Sequence, residues 1–280
     1  MCENGLSKVF CSDILIYGID VFEYTSLGEI MIKIENDINW SNCFIEQDVA
    51  GVEINCYFEI TPDEFLRHAD DCLKKSLNKM DVINAVLNSK QAIDCQIDSI
   101  LVHLGFDYLK FNTIMSIKEF MGLERSVAID GENRKISFIN QLGIAPKLLI
   151  SQYRKIRNSL EHEYKLPTVC QAKEFVELAE LFINATSHKW GVDMYRTFTI
   201  KNDEQQTTYN MYIDADDTKD GHIEIRSYRH DKDTRHRLIV ASSELMYVEL
   251  LSCIIKKQFD EIPRILGYNF PRENVNIQYW

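Results

Sequence analysis

The apolar residues of this chain change their period twice, and that change constrains the fold more than any other feature. Up to about residue 61 they fall in short runs rich in β-branched and aromatic side chains, over residues 9–10, 14–17, 30–34 and 52–60. Gly18, Gly28, Asn36-Asp37, Ser41-Asn42 and Gly51 separate the runs. Runs of this kind, divided by turn chemistry, predict strands. Thr61-Pro62-Asp63-Glu64 then reads as a helix start, with a cap candidate, proline at the first helical position and acids in the first turn.

From there to about residue 190 the spacing is helical. Phe65, Leu66, Ala69, Cys72, Leu73 and Leu77 predict one helix, and the apolar residues from Val82 to Leu104 predict a second that Gly105 ends. A third is expected over 108–121, a loop over 124–135, a short helix over 136–142 and a long helix over 144–165 with Pro146 in its first turn. Thr168 is expected to cap a last helix running to about residue 190. Beyond Gly191 strand patterning returns over 195–200, 207–213, 222–228 and 237–241, and Ser242-Ser243-Glu244 opens a terminal helix before an irregular tail. The expected fold class is α+β. A central antiparallel helical bundle (62–190) is flanked by an N-terminal β-rich segment (1–61) and a C-terminal β-rich segment with a terminal helix (191–280). Either the bundle is inserted between two β segments that pack together, or the chain holds three units.

Composition narrows the class. At 280 residues, 45% hydrophobic and 26% charged, the chain has the make-up of an ordinary globular protein. It has no apolar stretch of membrane-spanning length and no basic leader, so a soluble, cytoplasmic protein with no membrane association is expected. The eight cysteines are scattered without a C-x-x-C pair, which predicts mostly buried free thiols and neither a metal nor a cofactor. A net charge of −12 argues against nonspecific coating of nucleic acid. Local charge runs the other way. Over 147–165, five basic residues (147, 154, 155, 157, 165) face two acidic ones (161, 163), a balance of +3.

That basic stretch contains Arg154-Lys155-Ile156-Arg157-Asn158-Ser159-Leu160-Glu161-His162-Glu163-Tyr164. Leu148, Leu149, Ile150, Tyr153, Ile156 and Leu160 recur at helical spacing, and Pro167 should end the helix near Tyr164 or Lys165. His162 then falls in the last turn, where the helix dipole favours imidazolium. Arg157 lies five residues earlier, about 140° around the helix axis.

Arg157-Asn158-x-x-x-His162 resembles the signature of the HEPN family of all-helical ribonuclease and nucleotide-binding domains. The resemblance implies a helical bundle and metal-independent cleavage of RNA to 2′,3′-cyclic phosphate and 5′-hydroxyl ends. His162 would act as general base or acid, Arg157 would hold the phosphate, and Asn158 would orient one of them. Because such enzymes place two motifs face to face, a single copy implies a homodimer. Arg154, Lys155 and Tyr164 are the candidate RNA contacts. By the same resemblance the chain is expected to be a toxin or antiviral defence effector, with an antitoxin or regulatory protein as a further partner. The alternative is a non-catalytic dimerisation module or one that binds a nucleotide or protein.

Two other clusters carry chemistry on paper. Arg226, Arg229, Lys232, Arg235 and Arg237, with His222, His230 and His236 interleaved, form a second basic stretch that is either a nucleic-acid contact or the wet face of alternating strands. Asp214, Asp216, Asp217 and Asp220 read as solvated acids of a hairpin loop rather than a metal site. The flanking β segments hold no recognisable catalytic pattern, so they are expected to restrain or direct the bundle.

Overall fold

The structure is a computed structural model that describes residues 23–24, 38–48, 57–74, 78–122, 131–146, 158, 165–191, 197–202, 209–215, 220–229 and 234–279. Its architecture is α+β, with one mixed sheet and helices packed against it.

Three helices pack on one another: α1 (Pro62–Lys74), α2 (Lys79–His103) and α5 (Val169–Gly191). Local chemistry sets where each begins. Thr61 Oγ1 accepts from the Glu64 backbone N–H at 3.2 Å, and the Glu64 carboxylate accepts from the Thr61 backbone N–H at 2.8 Å. Asn78 and Asp81 make the same reciprocal cap for α2, and Thr168 and Gln171 make it for α5. Between α2 and α5, Gln96 Nε2 donates to Thr186 Oγ1 and Ser187 Oγ, each at 3.1 Å.

The chain between α2 and α5 differs from its expected layout. In place of a continuous helix over 108–121 there is a short 3-10 turn, Phe111–Thr113, followed by α3 (Met115–Phe120). The cause is Asp107, whose carboxylate accepts from the backbone N–H groups of Leu109 and Lys110 at 3.0 and 3.4 Å and holds a turn there. Where a loop was expected over 124–135, helix α4 (Gly131–Gln141) has already begun. Lys135 on that helix donates to Asp98 of α2 at 2.7 Å and lies over the Tyr108 ring.

The sheet has the strand order β1-β6-β5-β4-β3-β2-β7. The strands are β1 (Glu23–Tyr24), β2 (Cys43–Asp48), β3 (Thr197–Lys201), β4 (Tyr209–Asp214), β5 (His222–Arg229), β6 (Thr234–Ala241) and β7 (Ile277–Tyr279). β3 to β6 form an antiparallel meander, and β1 and β7 add parallel edges. β2 lies between β3 and β7, so strands from both ends of the chain build one sheet. Asp48 pairs with Thr197, so residues 49–196 leave and return at adjacent strands. The helical block is an excursion from a single antiparallel pair.

Two strand expectations change. Residues 57–60, expected as the end of a strand, form a bend instead. Their rings turn toward α2 and its following loop: Tyr57 meets His103 edge-on at 4.9 Å and Phe58 meets Tyr108 at 5.3 Å. The tail expected to be irregular contains β7, which pairs with β2. The runs expected at 9–10, 14–17 and 30–34 lie outside the described residues.

One face of the sheet is apolar. Ile45, Phe198, Ile200, Met211, Ile213, Ile223, Ile225 and Val240 are buried under α6 (Leu245–Lys256) and the turn that follows it. Phe259 in that turn packs on Phe198 at 4.9 Å. The other side of α6 meets the helical block. Tyr247 is fully buried, donates its hydroxyl to the Leu104 carbonyl at 2.7 Å and packs edge-on to Phe106 at 5.7 Å. Phe106, Phe111 and Phe120 surround Phe138 of α4 at 5.6, 5.5 and 6.1 Å. One core therefore runs from sheet to helices without a break.

This joint is sealed by backbone. Gly105 and Gly221 both have positive φ, at 75° and 77°. A Cβ on Gly221 would lie 3.1 Å from Ser242 Oγ and 3.4 Å from the Gly105 carbonyl oxygen, so the hairpin before β5 seats only as glycine. The Ser242 N–H donates to the Gly221 carbonyl at 2.8 Å, and Ser116 Oγ of α3 donates to the Ser242 carbonyl at 2.7 Å. Removing the Tyr247 hydroxyl would leave the buried Leu104 carbonyl without that donor. Tyr247→Phe is expected to cost about 1–3 kcal/mol, read as a lower urea midpoint with unchanged slope.

Candidate functional site

Of the residues singled out in the basic helix, Asn158 lies among the described ones; it is helical and exposed. Arg154, Lys155, Arg157, His162 and Tyr164 lie outside the described residues. The segments on either side are described.

On the N-terminal side α4 ends in a left-handed glycine, Gly143, with φ of 87°. The Ile144 N–H reaches back to the Ile139 carbonyl at 2.9 Å and the Gly143 N–H to the Asn140 carbonyl at 2.9 Å, a terminus that reverses the chain and buries Ile144 and Ala145. Ile144 to Pro146, expected as the first turn of the next helix, are therefore not helical. A Cβ on Gly143 would meet Lys256 Cγ at 3.1 Å, so this turn rests on α6. On the C-terminal side Lys165 to Thr168 are non-helical, in line with a helix stop ahead of Pro167. Thr168 then starts α5. The described segments on either side of the stretch are thus a turn resting on α6 and a capped helix packed on α2.

The second basic stretch is divided by the pleat of the sheet. Arg226, Arg235 and Arg237 lie on the outer, polar face with Tyr212, Tyr228, Asp214 and Glu224. His236 lies on the inner face and is 7% exposed, so it is not interleaved with the arginines as its place in the sequence suggests. His230 and Lys232 lie outside the described residues, and Arg229 is placed by its backbone in β5. On the outer face Glu224 accepts from Arg237 Nε and Nη2 at 2.7 and 2.9 Å, a bidentate pair. Arg226 Nη2 donates to Asp214 at 3.1 Å, and its guanidinium lies 5.9 Å from the Tyr212 ring centre. The Arg235 guanidinium lies 5.0 Å from that of Tyr228. Sequence reasoning missed Glu224 as their partner. Its signal was the alternation Glu224-x-Arg226-x-Tyr228, but only strand register shows that Arg237 stands opposite Arg226 and so diagonal to Glu224.

Of the acid run, Asp214 is committed to Arg226, while Asp216 and Asp217 lie outside the described residues. Among the described residues no group of three or more His, Cys, Asp or Glu side chains is placed to hold a metal ion. Five cysteines are described, and all are free thiols. Cys43 and Cys253 are buried, and burial pushes both thiols up to about 12, which leaves them protonated and unreactive at neutral pH. Cys72 and Cys95 are half-buried and Cys170 is exposed, so burial is less general than expected. No described helix is long and apolar enough to cross a membrane.

No family model matches the chain, and neither does any curated protein or solved structure.

The reciprocal cap at Thr168 fixes where the chain leaves the basic stretch and enters α5. Thr168→Ala removes the two hydrogen bonds of Oγ1, donated to Gln171 Oε1 and accepted from the Gln171 N–H, and is expected to lower stability by about 1 kcal/mol, whereas Thr168→Ser should retain most of it. Chemical denaturation of the two variants side by side checks this.

Proposed function

We propose that the protein is a metal-independent endoribonuclease of HEPN type that works as a homodimer in the cytoplasm, as a toxin or defence effector under the control of a partner protein. The observation that carries the reading is the spacing Arg157-Asn158-x-x-x-His162. Asn158, the one member described, is exposed on a helix, and the chain is no longer helical at Lys165. Both facts are compatible with a polar motif near a helix C-terminus facing solvent.

In this proposal His162 takes the proton from a ribose 2′-hydroxyl, because an imidazole titrates near neutrality. The 2′-oxygen attacks the adjacent phosphorus, the bond from phosphorus to the 5′-oxygen breaks, and a 2′,3′-cyclic phosphate remains. The departing 5′-oxygen takes its proton from the imidazolium of the facing copy. Arg157 binds the non-bridging oxygens through its planar fork as charge grows on them. Asn158 orients the phosphate by hydrogen bonds, while Arg154, Lys155 and Tyr164 hold the flanking nucleotides.

His162→Ala is expected to lower cleavage by about 10²–10⁴-fold. Arg157→Ala should do comparable damage, and Arg157→Lys should rescue little, because an ammonium lacks the bidentate fork. Folding should survive, since losing an imidazolium at an exposed helix end is worth about 0.3–1 kcal/mol. Light scattering of each variant should report a dimer. Full cleavage by His162→Ala would remove the catalytic reading of the motif, and full activity in a monomer would remove the homodimer.

A further inference from the structure

We infer that residues 271–279 form a salt-sensitive latch, an edge strap that detaches from β2 while the rest of the molecule stays folded and that Arg272 holds shut. The inference is independent of the ribonuclease reading, since it concerns how the root of the helical block is held.

The strap begins where burial ends. Tyr268 is 6% exposed, and its N–H donates to the Pro263 carbonyl at 2.8 Å. Phe270 packs against the core. From Pro271 to Gln278 the chain is exposed except at Val275 and Ile277, which are half-buried. Its attachment to β2 is short and parallel, with Cys43, Phe44 and Ile45 facing Ile277, Gln278 and Tyr279. Asn276 opens that attachment. Its N–H donates to the Trp40 carbonyl at 2.9 Å, and its carbonyl accepts from the Cys43 N–H at 3.1 Å. A parallel pairing this short, at a sheet edge and with so little apolar burial, is a weak hold. Segments of that kind open at a fraction of the global free energy.

Arg272 is the ionic tie of the strap. Its guanidinium pairs with Asp260 through Nε and with Glu261 through Nη1, the latter at 2.7 Å. Glu261 also accepts from Arg264 Nε at 2.7 Å, and Arg264 reaches Glu249 of α6 at 3.3 Å. The tie therefore runs from the strap through the turn after α6 to α6 itself. The Arg272 side chain is 58% exposed, so dissolved ions reach these pairs and screen them. Opening leaves β2 paired with β3 alone among the described strands. That pair ends at Asp48 and Thr197, where the helical block leaves and returns. The latch thus decides whether β2, at the root of the block, is flanked by one strand or two.

The test is hydrogen exchange of single amides, followed by NMR in the full-length protein, with the Cys43 N–H as reporter. Cys43 is fully buried and its N–H is bonded to the strap, so its exchange reports the strap letting go. It should exchange at least about 10-fold faster than the slowest amides of β4 and β5, and with a smaller dependence on urea, the mark of a local opening. Arg272→Ala should speed it by about 2- to 30-fold, the range that two exposed ion pairs span. Salt at about 0.5 M should give part of that effect in the parent and little in the variant. A merely frayed edge would open without responding to Arg272. Asn276→Pro removes the N–H donated to Trp40 and should release the strap, with the slowest β4 and β5 amides as protected as in the parent. Three results overturn the inference: exchange of Cys43 through global unfolding alone, indifference of that exchange to both salt and Arg272→Ala, or loss of the whole fold in Asn276→Pro. Each would make the strap an integral strand of the sheet.

Discussion

The hydrogen bond from the Tyr247 hydroxyl to the Leu104 carbonyl joins the two halves of this molecule. α2 ends at that carbonyl, and the chain can turn away only because Gly105 takes a positive φ. The same α6 that carries Tyr247 covers the inner face of the sheet. A buried phenol left without an acceptor would cost about 1–3 kcal/mol, so the bond favours one seating of the helices on the sheet. The rings of Phe106, Phe111, Phe120 and Phe138 fill the volume around it, edge to face. Three turns, at Gly105, Gly221 and Ser242, close over the joint.

This arrangement places α6 between the sheet and the turn at Gly143. It lies under the sheet whose opposite face presents the arginines and tyrosines, and Lys256 at its end supports Gly143, where the chain departs for the basic stretch. The two ends of the helical block leave from paired strands, so the block is tied to the sheet at its root and at α6.

Where physics is local, the sequence could be read. The caps at Thr61 and Thr168 and the span of α2 follow from residues within one or two turns. So do the strands β3 to β6. What failed depended on distant partners. β2 is a strand because β3 and β7 flank it, though Glu46, Gln47 and Asp48 give it a polar composition. Residues 57–60 alternate like a strand, but their rings are used by α2 and its loop. The bend at Asp107 is a local signal that was overridden in reading by the apolar run beyond it. The candidate site divides in the same way. The motif is a spacing in the sequence, of which only Asn158 lies among the described residues, while the pairing of Glu224 with Arg226 and Arg237, and the removal of His236 to the inner face, required the register of three strands.

The central claim is chemical: Arg157 and His162 cut RNA by in-line attack of the neighbouring 2′-hydroxyl, with no metal ion taking part. The measurement that meets it most directly is the structure of the RNA ends. Purified protein incubated with total RNA in EDTA should generate new 5′-hydroxyl ends, each matched by a 2′,3′-cyclic phosphate, and a 2′-O-methyl group at the cleavage site should block the cut. New 5′-phosphate ends, a cut that survives 2′-O-methylation, or activity that disappears with chelation and returns with added divalent cation would contradict it.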